Sequence, residues 1–336
     1  MLDATGHELF SRMLTGSRKI VISTHMNPDG DAIGSEIGLA RYLAAVGHEV
    51  RVVNEEPTSR NLVYLEQSGP AIELFDPVAH GEALAAADLV ILVDNSAPDR
   101  LGGMEKAILS VAGKVLCIDH HPTQGTPWAH NILDVQASAT AAMIYDLTTG
   151  TGYRPDLPAA EALYAGLSTD TGFFRFNSTR VRAHEIAAEL IRAGVEPAKC
   201  FREVYEKNSP AWTRLLGRAL AGLRLDAGGG IVSVRITRAE EIECGADGAD
   251  TSEMATSLLA IEGVRIALLF RELPGGRVKV SLRSKGDLDV YRLALEFGGG
   301  GHRNASGIVT DGRLDTVAET VIGRAAGLLA ARERGQ

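Results

Sequence analysis

Between Thr24 and Asp170 the chain carries imidazoles and carboxylates at spacings that could hold metal ions. The first group is the loop Thr24-His25-Met26-Asn27-Pro28-Asp29-Gly30-Asp31-Ala32, in which HxxxDxD puts one imidazole and two carboxylates in a single tight loop. The second is Asp94, directly after the apolar run Leu89–Val93. The third is Asp119-His120-His121, directly after Val115–Ile118, and the fourth is Asp170 in Ser168-Thr169-Asp170-Thr171-Gly172-Phe173-Phe174. Carboxylate oxygens and imidazole nitrogens without thiolate suit manganese, magnesium or cobalt better than a structural zinc. Four aspartates and two histidines (Asp29, Asp31, Asp94, Asp170, His25 and His120) could hold two ions with positions left for water and substrate. Each piece alone has an ordinary explanation. A strand-terminal Asp caps a helix or forms a turn, and Pro-Asp-Gly-Asp is turn chemistry. Four clusters after the expected elements are much harder to obtain by coincidence. His7, His48, His80, His130 and His184 have no such context.

The elements that must position these groups alternate. Lys19–Ser23 reads as a strand, followed by a loop, the helix Ser35–Ala45 and the strand Glu49–Asn54. Leu89–Val93 and Val115–Ile118 are short apolar runs of the kind buried on both faces of a parallel sheet. Helical patterns follow at Ala139–Leu147 and Ala159–Leu167. Strand–helix alternation predicts a doubly wound, mainly parallel α/β domain over residues 1–195. Three of the four clusters follow strands at their carboxyl ends, where open parallel sheets place ligand crevices. From Arg182 to Leu223 the pattern is nearly all helical and is broken by Pro197 and Pro210; residues 196–227 read as a helical connector. A smaller α/β domain over 228–336 follows, with strands Ile231–Ile236, Ile266–Phe270, Val278–Leu282 and Ile308–Thr310. Its helices are Leu288–Phe297 and one from about Asp315.

That second domain carries Gly298-Gly299-Gly300-Gly301-His302-Arg303-Asn304-Ala305-Ser306-Gly307 just past a helix. One glycine there would be an ordinary helix stop. Four in a row point to backbone brought close to a ligand, with bare N–H groups for phosphate oxygens. Arg283-Ser284-Lys285 at a strand end adds donors suited to phosphate, or makes a solvated hairpin tip.

Composition narrows the partners. The 336 residues carry a formal charge of −9, which argues against gripping long duplex nucleic acid through many phosphates. A small anionic substrate stays compatible, because bound dications invert the sign of a carboxylate pocket. The three cysteines, Cys117, Cys200 and Cys244, show no CxxC spacing, so neither a disulfide framework nor a zinc knuckle is indicated. No signal-peptide core stands at the N-terminus, and no apolar run approaches the ~20 residues that span a bilayer. The expectation is a cytoplasmic protein without membrane association.

These residues resemble the DHH phosphoesterase superfamily, named for the motif seen here as Asp119-His120-His121. HMNPDGDAIGS, LVDNS, IDHH and STDTGFFRF look like its first four motifs, and FGGGGHRNASG looks like the glycine-histidine motif of the companion DHHA1 domain. The likeness runs in order over nearly the whole chain, and it is strongest to the NrnA-type group of oligoribonucleases that also act as pAp phosphatases. It implies a manganese-dependent hydrolase of short oligoribonucleotides and of 3'-phosphoadenosine 5'-phosphate (pAp), with two divalent ions (magnesium or cobalt being the other candidates). His25 and Asp29 would hold the first metal, Asp31, His120 and Asp170 the second, and Asp94 would bridge both. Asp119 would orient a neighbouring ligand and His121 would face the substrate phosphate. His302 and the backbone of Gly299, Gly300 and Gly301 would bind substrate phosphate beside Arg303, with Arg283 at a further phosphate or terminal nucleotide. Asn95, in a segment that varies within the family, receives no role. Two metals would activate a shared water and clamp the attacking and leaving oxygens, and the second domain would close over the substrate. A homodimer is also implied.

Rival readings weigh less. Pyrophosphatases with the same first-domain motifs normally lack the GGGH run. RecJ-like exonucleases are longer, and membrane-tethered cyclic-dinucleotide phosphodiesterases carry spanning segments. A stand-alone phosphodiesterase of cyclic-di-AMP or linear pApA is the enzyme alternative. A non-catalytic nucleotide-binding sensor would have lost a ligand, and none of those expected is missing.

Overall fold

The computed structural model describes residues 4–16, 19–123, 125–249 and 251–334, without the side chains of Ser68, Ser252, Glu253, His302 and Glu333. The chain divides into two compact units, Met1–Lys207 and Asn208–Gln336.

In the first unit the elements are α1 (Ala4–Leu14), β1 (Lys19–Ser23), α2 (Gly30–Ala45), β2 (Glu49–Asn54), β3 (Ile72–Leu74), α3 (Ala79–Ala86), β4 (Leu89–Val93), α4 (Glu105–Leu109), β5 (Val115–Asp119), β6 (His130–Leu133), α5 (Thr140–Gly150), α6 (Leu157–Asp170), α7 (Val181–Arg192) and α8 (Pro197–Tyr205). The six strands pair in the order β3-β2-β1-β4-β5-β6, and every pairing is parallel. β4 and β5 are buried along their whole length, because both faces of the sheet are covered. Ile20, Ile22, Leu89, Ile91, Leu116 and Ile118 face one core with α2, α5 and α6. Val21, Val90, Leu92, Val115 and Cys117 face the other. The strand order reverses direction between β1 and β4, the place where doubly wound sheets open a crevice at their carboxyl edge.

One helix contact depends on glycines that no sequence pattern flagged. Gly30, Gly34 and Gly38 lie four residues apart on α2 and so share one face. A Cβ at Gly34 would overlap the Ala162 carbonyl oxygen and sit 2.9 Å from Gly166 N, while one at Gly30 would collide with Thr169 and one at Gly38 with Leu163. The two helices therefore meet backbone to backbone and run antiparallel. This sets the first turn of α2, with Asp31, against the last turn of α6, which ends at Asp170.

The second unit comprises α9 (Pro210–Ala221), β7 (Arg224–Asp226), β8 (Ile231–Ile236), α10 (Arg238–Cys244), α11 (Ser252–Leu258), β9 (Ile266–Leu273), β10 (Arg277–Ser284), α12 (Val290–Leu295), β11 (Gly300–His302), β12 (Ala305–Asp311) and α13 (Leu314–Glu333). Its strands pair in the order β11-β12-β10-β9-β8-β7; β8 and β9 are parallel and the other pairs antiparallel. The stretch 196–227 does not stand apart as a connector. α8 packs Cys200 and Val204 into the first unit's core, and α9 packs Leu215 and Ala219 against β8 and β9 in the second. Pro197 and Pro210 each sit at the start of a helix, where the missing N–H costs nothing.

The glycine run takes a regular form. It is not an open loop: Gly300, Gly301 and His302 form the edge strand β11, paired with Gly307, Ser306 and Ala305. Gly298, at φ +71°, ends the turn after α12. A Cβ on Gly299 would strike the Gly307 carbonyl, and one on Gly301 would lie 2.6 Å from the Ala305 carbonyl. The fold itself thus requires three of the four glycines, Gly298 for its left-handed backbone and Gly299 and Gly301 for want of room, and Gly300 alone has neither constraint.

Candidate metal centre

β1 ends at Ser23, and two residues later His25 is buried, with Nδ1 2.7 Å from the Met26 carbonyl. Its other ring nitrogen lies 3.3 Å from an Asp94 oxygen. Asp94 follows β4 directly. Its N–H donates to the Ile118 carbonyl at the end of β5, and its φ is +56°, a left-handed conformation that costs a non-glycine residue energy. The side chain is buried and accepts a hydrogen bond from the Thr140 hydroxyl at 2.9 Å. Strained backbone and a buried carboxylate are thus held together at the sheet's switch point.

HxxxDxD is not one loop. Asp29 is the N-cap of α2 and accepts from the N–H groups of Asp31 and Ala32, whereas Asp31 already lies inside the helix. The Asp31 carboxylate reaches across to α5 and takes the N–H of Thr140 at 2.6 Å and of Ala141 at 2.8 Å. It thereby supplies the cap that Ala139 cannot provide from its own side chain. His120 follows β5, and its Nε2 lies 3.8 Å from Asp31, 3.6 Å from Asp94 and 3.5 Å from Asp170. Asp119, the last residue of β5, is fully buried and accepts both the N–H and the Nδ1–H of His121. Nδ1 of His121 is also 3.5 Å from Asp94.

Three sets of ligand atoms converge: His25, Asp29 and Asp94; Asp31, His120 and Asp170; and Asp94, His120 and His121. Residues from the ends of β1, β4 and β5 and from α2 and α6 therefore meet at one edge. The electrostatics of so many buried carboxylates are poor without a cation. Burial, with Asp94 and Asp170 close by, pushes the Asp31 carboxyl well up. Burial likewise raises Asp170 to about 7 against the pull of His120. Asp94 goes the other way: burial would raise it, but contact with His25 and the charges of His121 and His120 hold it below the usual range. Burial lowers His121, yet Asp119 and Asp94 outweigh that and lift it to about 9. His25 Nε2 and His120 Nε2 are buried without a hydrogen-bond partner. Buried nitrogens without a hydrogen-bond partner and aimed at carboxylates are the arrangement a divalent cation satisfies. The residues present fit such ions.

Sequence reasoning passed over Thr140, which serves both Asp31 and Asp94 and whose only signal is its place at the start of a helix of small residues. It also passed over Arg100. Its carbonyl accepts the Met26 N–H, its positive charge acts on both His25 and His121, and it forms no ion pair among the described residues.

The expected phosphate-binding residues lie in the second unit. Arg283, on β10, donates to Thr256 Oγ1 and to the Leu282 carbonyl. Arg303 is exposed and donates to the Asp287 carbonyl. The backbone of His302 belongs to β11, but its side chain lies outside the described residues.

A parallel sheet in this order, with this set of acids and imidazoles at its carboxyl edge, defines a phosphoesterase class, and the chain belongs to the DHH family. Residues 19–167 match the N-terminal domain of that family, and residues 231–327 match the DHHA1 domain. Among relatives, the chain is 33% identical over 304 residues to the bifunctional oligoribonuclease and PAP phosphatase NrnA of Thermus thermophilus, covering 90% of this chain and 88% of that protein. It is 29% identical over 295 residues to the Bacillus subtilis protein of the same name, covering 86% and 88%. The crystal structure of an exopolyphosphatase-related protein from Bacteroides fragilis superposes with a TM-score of 0.92 at 29% identity, covering 97% of each chain. Among the described residues, no helix is long and apolar enough to cross a membrane.

Proposed function

We propose that the chain hydrolyses short oligoribonucleotides to mononucleotides and pAp to AMP, with manganese as the working ion. One observation carries the reading: two donor sets, His25 with Asp29 and Asp31 with His120 and Asp170, flank the buried Asp94 carboxylate. His25 and Asp29 would hold one ion and Asp31, His120 and Asp170 the other, with Asp94 between them. Ions bound there acidify a water and neutralise charge on the phosphoryl oxygens.

The chain's own residues do the rest. Asp119 fixes the His121 ring through Nδ1 and favours its protonated form. The imidazolium then meets negative charge growing on phosphoryl oxygens, and Arg100 adds a second positive group from the same rim. Since Asp119 and Asp94 are buried and already oriented, little reorganisation is needed as charge develops. In the second unit, Arg283, Arg303, His302 and the backbone of Gly299–Gly301 are assigned to substrate phosphate or a terminal nucleotide; the open space at Gly300 and the exposure of Arg303 support this. The names of the NrnA relatives support the substrate choice, and the net negative charge supports small substrates over long nucleic acid.

The test is a manganese-supplemented panel of pAp, di- to pentaribonucleotides, a long single-stranded RNA, cyclic-di-AMP, linear pApA and pyrophosphate, ranked by kcat/KM. pAp and the shortest RNAs should rank first. Asp94→Asn, which tolerates the left-handed backbone and keeps an acceptor for Thr140, should lose about 10³-fold in turnover or more while staying folded. A first rank for pyrophosphate or the long RNA, or full turnover by Asp94→Asn, refutes the proposal.

A further inference from the structure

The second unit holds a basic groove that the phosphoesterase reading does not use. β12 pairs with β10 so that Arg283 lies opposite Ala305 and Arg277 opposite Asp311. At ~3.3 Å per residue these two ends of the sheet are about 20 Å apart. The glycine-histidine segment and Arg283 occupy one end. The other end opens on a groove of about 770 Å³, the size of a small-molecule site.

Five arginines line this groove, Arg224, Arg235, Arg238, Arg277 and Arg313, against the carboxylates Glu240, Glu272 and Asp315. The carboxylates are already engaged. Glu240 accepts from the N–H and hydroxyl of Thr237, Glu272 accepts from the Arg238 N–H, and Asp315 faces Arg235. Arg238 is paired with Glu241 and Asp247. Arg224, Arg277 and Arg313 form no ion pair among the described residues and are exposed toward the groove they line. Arg235 Nε is buried and lies 3.4 Å from Asp315 without closing a hydrogen bond. The long helix α13 also begins here, with Arg313 as its N-cap and no side chain capping it, so its first N–H groups add to the positive field. Like charges gathered around an uncapped helix start, in a chain of net charge −9, call for an anion. Guanidinium forks and backbone N–H groups together favour phosphate over a single carboxylate.

We propose that this groove binds the phosphate groups of a nucleotide-sized polyanion, at a site that shares no residue with the metal centre. The probes are tripolyphosphate, ATP and phosphate-free adenosine, titrated calorimetrically into the full chain. The Asp94→Asn background keeps the probes from being hydrolysed. The comparison protein carries Arg224→Gln, Arg277→Gln and Arg313→Gln in addition, with circular dichroism checking its fold. Tripolyphosphate and ATP should bind the parent and bind at least tenfold more weakly after the arginine substitutions, while adenosine binds neither. Preference for ATP over tripolyphosphate would identify a nucleotide as the ligand, and equal affinity would identify phosphate alone. The same substitutions in the wild-type background should leave pAp turnover unchanged. The proposal fails if the parent binds neither polyanion at millimolar concentration. It fails equally if the substituted protein binds them as well as the parent does.

Discussion

Replacing Gly34 with alanine tests whether the α2–α6 contact sets the metal centre. The added methyl would overlap the Ala162 carbonyl oxygen and lie 2.9 Å from Gly166 N, and both neighbours are backbone, unable to rotate away. Restoring ordinary contact requires the helices to part by roughly 1 Å. Overpacking of this kind costs ~1–3 kcal/mol, and the better helix propensity of alanine returns up to ~1 kcal/mol. A net loss of about 1 kcal/mol lowers the melting temperature by roughly 2–4 °C in a unit of this size. The same displacement moves Asp31 away from His120 and Asp170, and a misplacement of ~1 Å can cost about 10²-fold in rate. Urea unfolding and manganese-dependent pAp hydrolysis provide the two readouts. Gly81→Ala is the control, since Gly81 lies in α3 with no atom near its would-be Cβ. That change should stabilise by about 0.5–1 kcal/mol and leave turnover alone. If Gly34→Ala matched the control in stability, or kept full turnover, the argument that the glycine face positions the centre would be refuted.

Asp119→Asn should lower the His121 pKa from about 9 in the metal-free protein, because its strongest upward influence is gone; imidazole NMR titration reads this directly, and an unmoved value contradicts the assignment. A raised imidazole stabilises the fold fully below its unfolded pKa of 6.5 and loses that contribution as pH rises through about 9, so the variant should lose it at lower pH. Glu36 is buried beside Asn54 and burial lifts its carboxyl to about 8. Stability from the neutral acid is complete below 4.5 and is lost as pH rises toward 8, at about 1.4 kcal/mol per pH unit at most; Glu36→Gln should flatten that slope in denaturation curves, and an unchanged slope would show that the residue does not titrate as described. Arg100→Gln should raise KM for pAp about tenfold with little change in folding stability, and an unchanged KM would remove Arg100 from the phosphate rim.

The strands that carry the centre were legible because their chemistry is unambiguous. β1, β2 and β4 have the expected bounds, each being a short run rich in Val, Ile or Leu. The start of α2 was less legible. Pro28-Asp29-Gly30 carries the composition of a turn, so the helix reads as starting at Ser35, whereas the Asp29 side chain caps it from Gly30. The placement of Asp31 inside that helix, and its long reach to α5, could not be read from spacing, since the partners are 109 and 110 residues away. The glycine run has a second cause that the sequence did not show. Its density points to ligand chemistry, and Gly299 and Gly301 are in addition fixed by the carbonyls of the neighbouring strand. Arg100 was invisible because nothing local marks an arginine as belonging to an imidazole cluster formed by other strands.

The cap that Asp31 gives α5 also ties the order of assembly to the chemistry. A chain still emerging from the ribosome can build β1 and α2 early, but the helix that receives this carboxylate arrives more than a hundred residues later. Contacts of such separation close late, after the local ones. Until then a nascent chain offers isolated acids and no finished claw, so cation capture is reserved for the completed domain, and adding ions to a refolding mixture should accelerate nothing before α5 and α6 have docked.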